Sequence, residues 1–135
     1  MTLHHDDPTP SESSTLEDRL RDRLRAWATD DLACIAVTML IEERELLARP
    51  DVRRALVVLD DEALYADWAH LTVRLGDLDL DESEYAFMEV VLAIALGRQV
   101  LLGCVLPLGE RRLAIVLRAL AAWAGADSVA VGTRA

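Results

Sequence analysis

Apolar residues recur along this chain at three- and four-residue intervals, and acidic or glycine-containing breaks divide them into six or seven segments. Leu16, Leu20, Leu24 and Trp27 follow a 4-4-3 spacing, while the remaining positions from Glu17 to Arg25 are all charged. So narrow a stripe resembles a seam between two helices more than a broad core face. Ser14-Thr15-Leu16-Glu17 has the form of a capping box and predicts a helix start there. Glu17–Arg21 and Asp22–Arg25 are spaced to pair along that helix.

Thr29-Asp30-Asp31 reads as a break and a fresh N-cap. The run LACIAVTMLIEERELLA behind it is apolar on nearly all sides until Glu42, which predicts a central helix. That helix is expected to surface at Glu42, Glu43, Arg44 and Glu45 and to end at Pro50. A short helix to about Leu59 follows, then another opened by Asp60-Asp61-Glu62 and closed at Gly76 by a left-handed glycine. Asp81 with Glu84 repeats the capping box for a helix to about Leu96, closed by Gly97. Residues 98–106 fit either a short buried helix or an extended segment. Gly109 to Ala124 is the last helix, with Leu113, Leu117, Leu120 and Trp123 on one stripe.

No Val/Thr/Tyr-rich alternating run points to a sheet. The expected fold is all-α: a compact bundle of six or seven short helices in a single domain over residues 14–126. A flexible polar tail at 1–13 and a short tail at 127–135 complete it. Leu (24) and Ala (20) supply a third of the 135 residues, in keeping with helix. Three tryptophans recur in similar words (RAWATDD, ADWAHLT, AAWAGAD), as amphipathic plugs for the ends of a small bundle.

Charge narrows the partners. The net charge is −10, distributed as −4 over residues 1–31, −9 over 32–97 and +3 over 98–135. An acidic body repels phosphate backbones, which argues against nucleic acid. Arg111, Arg112 and Arg118 form a basic strip on the last helix, and packing against the chain's own acidic segment explains them most simply. All 14 basic residues are arginine, and Lys and Asn are absent, a bias that suits a bacterial genome rich in G and C. Residues 90–108 approach the length of a bilayer span, but Arg98, Gln99 and Pro107 interrupt them, so a buried helical core is expected and no membrane partner. Cys34 and Cys104 lie in apolar runs and read as buried thiols. With no secretory leader in MTLHHDDPTPSESST, they indicate a cytoplasmic protein.

Motifs for chemistry are sparse. Asp67-x-x-His70 has the i, i+3 spacing of a carboxylate–histidine metal motif, but His70 is the only histidine outside the tail. A solvated Asp–His pair is the simpler assignment, and no metal, cofactor or catalytic set is expected. Asp77, Asp79 and Asp81 alternate like a calcium loop, yet Glu82 replaces the required Gly and Met88 the closing Glu. High apolar content in a small chain favours association. The leading expectation is therefore a non-enzymatic, homo-oligomeric (dimeric) interaction protein: an adaptor, assembly factor or neutralising partner. Leu16, Leu20, Leu24 and Trp27 would be the contact stripe, unless they close the chain's own bundle, and the acids of 42–45 and 77–84 would steer a basic partner. The alternative is a small-molecule-binding regulatory domain. Its apolar pocket would lie between the 31–47, 61–75 and 82–96 helices and be lined by Tyr65, Trp68, Phe87 and Met88. A small enzyme ranks third, for want of a nucleophile, a base and an electrophile together.

Overall fold

The computed structural model describes residues 10–61, 63–126 and 128–131. Helices dominate: α1 (Pro10–Trp27), α2 (Asp31–Glu43), α3 (Glu45–Ala48), α4 (Pro50–Leu56), α5 (Trp68–Arg74), α6 (Glu82–Leu96) and α7 (Gly109–Trp123). Two 3₁₀ turns, Leu75–Asp77 and Leu102–Val105, and one hairpin, β1 (Val57–Asp60) with β2 (Ala63–Ala66), complete the described elements. The fold is thus mostly all-α, as the periodicity predicts.

Local chemistry sets most boundaries. Asp30 caps α2 by accepting from the Ala33 amide at 2.9 Å. Asp81 and Glu84 form the expected capping box: the Asp81 carboxylate accepts from the Glu84 amide at 2.8 Å and Glu84 accepts from the Asp81 amide at 3.0 Å. Gly97 ends α6 in the left-handed conformation, φ 65°, a geometry that costs glycine nothing. Pro50 opens α4, where its missing N–H removes no helical bond.

Four local expectations need correction. α1 starts at Pro10, so Ser14 to Glu17 lie within the helix rather than at its start; the tail expected at 1–13 falls outside the described residues as far as residue 9. The helix expected to run to Leu59 stops at Leu56, and the one expected from Asp60 does not begin there. β1 and β2 pair antiparallel instead, with Val58 opposite Tyr65 and Leu59 opposite Leu64. Val57, Val58 and Tyr65 suit a pleated surface, and Asp61 takes a positive φ of 53° at the turn, which aspartate tolerates better than most residues. Gly76 lies inside the first 3₁₀ turn and is not left-handed. Of the two conformations open to residues 98–106, the buried helix is absent: residues 98–101 are irregular, with Leu101 extended, and Leu102–Val105 form the second 3₁₀ turn with no buried residue.

α2 is the central element, packed against both α6 and α7, while α1 lies across β2 and α5 bridges α4 and α6. Val37, Leu40, Phe87, Met88 and Leu92 are fully or almost fully buried along these contacts, and Leu46, Leu56 and Leu71 extend the core towards α4 and α5. Trp27 and Trp68 meet with ring centroids 6.5 Å apart and planes tilted by 45°, Trp68 within the core and Trp27 packed against it. Trp123, expected as a plug for the end of the bundle, is more than half exposed.

Candidate functional site

The Asp67–His70 pair is a structural device. Asp67 is the N-cap of α5 and accepts from the His70 backbone amide at 2.9 Å, and His70 Nδ1 donates to the Ala55 carbonyl at 2.7 Å, tying α5 to α4. A carbonyl oxygen can only accept, so Nδ1 carries the proton. Among the described residues no group of three or more His, Cys, Asp or Glu is placed to hold a metal ion.

The basic strip of α7 meets the acidic end of α2, as the charge distribution suggests. Glu43 was expected at the surface and is instead wholly buried. Its Oε2 accepts from Arg111 at 3.0 Å and from both Nε and Nη2 of Arg112, at 3.0 and 2.8 Å. Its Oε1 caps α3 by accepting from the Leu46 amide at 2.8 Å, and its backbone carbonyl accepts from Arg111 Nη1. Arg44, at φ 75°, makes the break between α2 and α3 beside this inward-turned carboxylate. A residue without glycine's freedom holds such a conformation only where its surroundings enforce it, and the residue before it, Glu43, is fixed by the hydrogen bonds above. Arg112 also reaches Glu45 at 3.0 Å and Ser83 at 2.9 Å, and Ser83 donates on to the Leu108 carbonyl. Arg118 pairs with Glu42 at 2.8 Å and donates to the Val131 carbonyl. The acids of 42–45 are therefore engaged within the chain.

Two surface depressions stand out. One, of about 230 Å³, lies between α2 and α7, with Ile35, Met39, Ile115 and Ala119 as apolar walls and the Glu42–Arg118 pair and Cys34 at its edge. The other, of about 510 Å³, lies between α6 and the connection that follows it. Tyr85, Ala86, Leu106 and Pro107 supply apolar wall, and Asp81, Glu82 and Glu89 supply acidic side chains. Cys104 also lines this second groove. Burial, and secondarily the charge of Glu89, pushes its thiol above the ordinary value. The two cysteines are less hidden than expected: Cys34 is exposed on α2, and Cys104 is only half-buried, packed against the core from the second 3₁₀ turn.

The connection from α6 to α7 is the most unusual surface of the molecule. Leu101, Leu102 and Leu106 are each 85% exposed, and Val100, Leu96 and Tyr85 beside them are also exposed. Isolated exposed leucines need no explanation, but three within six residues do. The chain cannot bury them by itself, because Gly97, Gly103, Pro107 and Gly109 break the segment before a helical face can form.

The residues singled out from periodicity are placed differently. Leu24 is 1% exposed, Leu20 and Trp27 are half-buried against the core, and only Leu16 of that stripe is open to solvent, at 61%. The α1 stripe therefore closes the chain's own bundle for most of its length. Phe87 and Met88 are fully buried, Trp68 nearly so, and Tyr65 half-buried on β2. None of these four lines either depression. The run VLLGCVLPL was visible as apolar; its punctuation by glycine and proline was the signal that it would be displayed rather than packed. No helix among the described residues is long and apolar enough to cross a membrane. No protein-family model matches the chain, and no curated protein or solved structure matches it either.

Proposed function

We propose that this protein acts by binding another protein chain, as a non-enzymatic helical interaction module of the cytoplasm, and that the α6–α7 connection is its contact surface. The observation that carries this is the exposure of Leu101, Leu102 and Leu106, each at 85%, on one short segment. Removing a leucine side chain from water is worth roughly 1.5–3 kcal/mol, so a surface presenting three is strongly biased towards association. Neighbouring Val100 and Tyr85 enlarge the apolar patch, and the acidic side chains around the adjoining groove give it a charged border, the usual division between the centre and the rim of an interface. The contact moves from α1 to this connection because Leu24 and most of its stripe lie inside the bundle. Exposed Cys34, carried as a free thiol, suits a reducing compartment.

The test is a photoreactive residue placed at position 101 in the living host, with position 59 as control. Leu59 is also exposed, at 63%, but lies on the hairpin. Protein adducts at 101 and none at 59 are expected; no adduct at 101 would overturn the proposal.

A second function has one observation in its favour. The 230 Å³ depression between α2 and α7 has apolar walls and a single charged edge, the plan of a small-molecule site, although its size falls below the roughly 300–1,000 Å³ typical of one. It replaces the pocket expected among the 31–47, 61–75 and 82–96 helices. A fragment-sized apolar ligand should raise the melting temperature, and I115W, which fills the depression, should abolish that rise. A broad fragment screen with no shift would remove this function.

A further inference from the structure

Resting on the contact surface proposed above, we infer that its occupant is a second copy of this chain. Leu101 and Leu102 of one protomer would enter the α6-side groove of the other, and the exchange would be reciprocal about a twofold axis.

Two features make the surface self-complementary. The first is shape. The exposed leucines at 101 and 102 and the groove walls at Gly103, Cys104, Leu106 and Pro107 belong to one continuous segment, so projection and recess are neighbours along the chain. A twofold contact requires this arrangement, because each copy must offer both halves of the fit. The groove, at about 510 Å³, has apolar wall to receive aliphatic side chains.

The second is charge. The chain carries 24 acids, yet residues 90–109 contain none, and Arg98 is their one charged group. Two bodies of net charge −10 repel each other over most orientations, and this segment is where they approach at least cost. Arg98 is exposed three residues before the projecting Leu101, while Asp81, Glu82 and Glu89 line the groove. Inserting the leucines therefore carries the arginine of one copy towards the acids of the other. The pairing favours this register over contacts that set acid against acid. Glu42, Glu43 and Glu45 are already held by arginines of their own chain and offer no competing site for Arg98.

The experiment is sedimentation velocity on the full chain from about 1 to 100 µM, at low and moderate salt. The wild type should shift from monomer to dimer within that range. L101D/L102D, which alters exposed side chains only, should remain monomeric with unchanged helix content. R98E alone should weaken the dimer by tenfold or more. R98E mixed with E82R/E89R, each first checked by circular dichroism, should give a heterodimer tighter than the homodimer of either variant alone. A readout needing no variant is the alkylation of Cys104 in the wild type: it lines the groove and should react more slowly at concentrations where the dimer forms. A wild type that stays monomeric throughout overturns the inference, as does a dimer that survives L101D/L102D. If a monomeric chain still forms adducts at position 101 with a different protein, the second-copy inference fails and the interaction module stands. Adducts with nothing remove both.

Discussion

Replacing Glu43 with glutamine keeps the side chain's shape and deletes its charge. In the native chain that wholly buried carboxylate takes three hydrogen bonds on Oε2 from two guanidinium groups and one on Oε1 from the Leu46 amide. Glutamine can still accept from Leu46, but its NH₂ then faces Arg111 and Arg112, donor against donor. Removing one partner of a buried ion pair costs about 3–5 kcal/mol, chiefly because the other charge is left uncompensated. The lower end applies here, since Arg112 keeps Glu45 and Ser83 and Arg111 is half exposed. E43Q should therefore lose about 3 kcal/mol, a large share of the roughly 5–15 kcal/mol that holds a domain of this size. In urea, with a slope of about 1–3 kcal/mol/M, the midpoint falls by roughly 1–3 M. The Trp27–Trp68 pair gives the fluorescence signal. E43L should fall at least as far, and E43L/R112M should recover part of the loss, because an apolar pair leaves less charge stranded. An E43Q protein within about 0.5 kcal/mol of wild type would refute the assignment of the α2–α7 junction to this network.

Three further outcomes follow from local geometry. D81A removes the acceptor of the α6 capping box and should cost about 1 kcal/mol, read as a lower urea midpoint with unchanged slope; no change would mean that the box is idle. The hydrogen bonds from Arg49, at 2.8 and 3.1 Å, hold the Asp51 carboxyl below its ordinary value, and the Val52 amide adds to this. A depressed folded pKa stabilises above the unfolded value and is lost as pH falls through the folded one. D51N should thus be less stable than wild type near neutrality, by under about 1 kcal/mol because the pair is partly solvated, and the gap should close below the ordinary value of 3.8; a gap constant down to pH 2 would contradict it. Cys104 should alkylate more slowly than exposed Cys34 at pH 8, and E89Q should speed it, since burial and then Glu89 raise its thiol; peptide mapping after timed iodoacetamide treatment reads both, and the reverse order would contradict this.

The features legible in the sequence are those made by neighbours along the chain. Asp30, the Asp81–Glu84 box and Gly97 act within one helical turn, so their residue types announce them. The attraction between the α7 arginines and the acids near Glu42 followed from charge alone, but the burial of Glu43 did not. Whether that carboxylate turns inward depends on Arg111 and Arg112, nearly seventy residues away. The hairpin escaped because VVLD and ALYA are too short to outweigh helical periodicity on both sides, and because Asp67, the true cap of α5, resembled half of a metal motif. Exposure of Leu101 and Leu102 was hidden for a different reason. Hydrophobicity predicts burial only if a partner face exists within the chain, and a connection bounded by Gly97 and Gly109 and broken between them by Gly103 and Pro107 presents none to Leu101 and Leu102.

Amide hydrogen exchange on the wild-type chain, compared at about 1 and 100 µM, bears on the contact surface without altering a residue. At the higher concentration the amides of residues 98–106 and of the groove-lining first two turns of α6, Glu82–Glu89, should gain protection, while β1, β2 and α1 exchange as before. Equal exchange of residues 98–106 at both concentrations would contradict self-association through the α6–α7 connection.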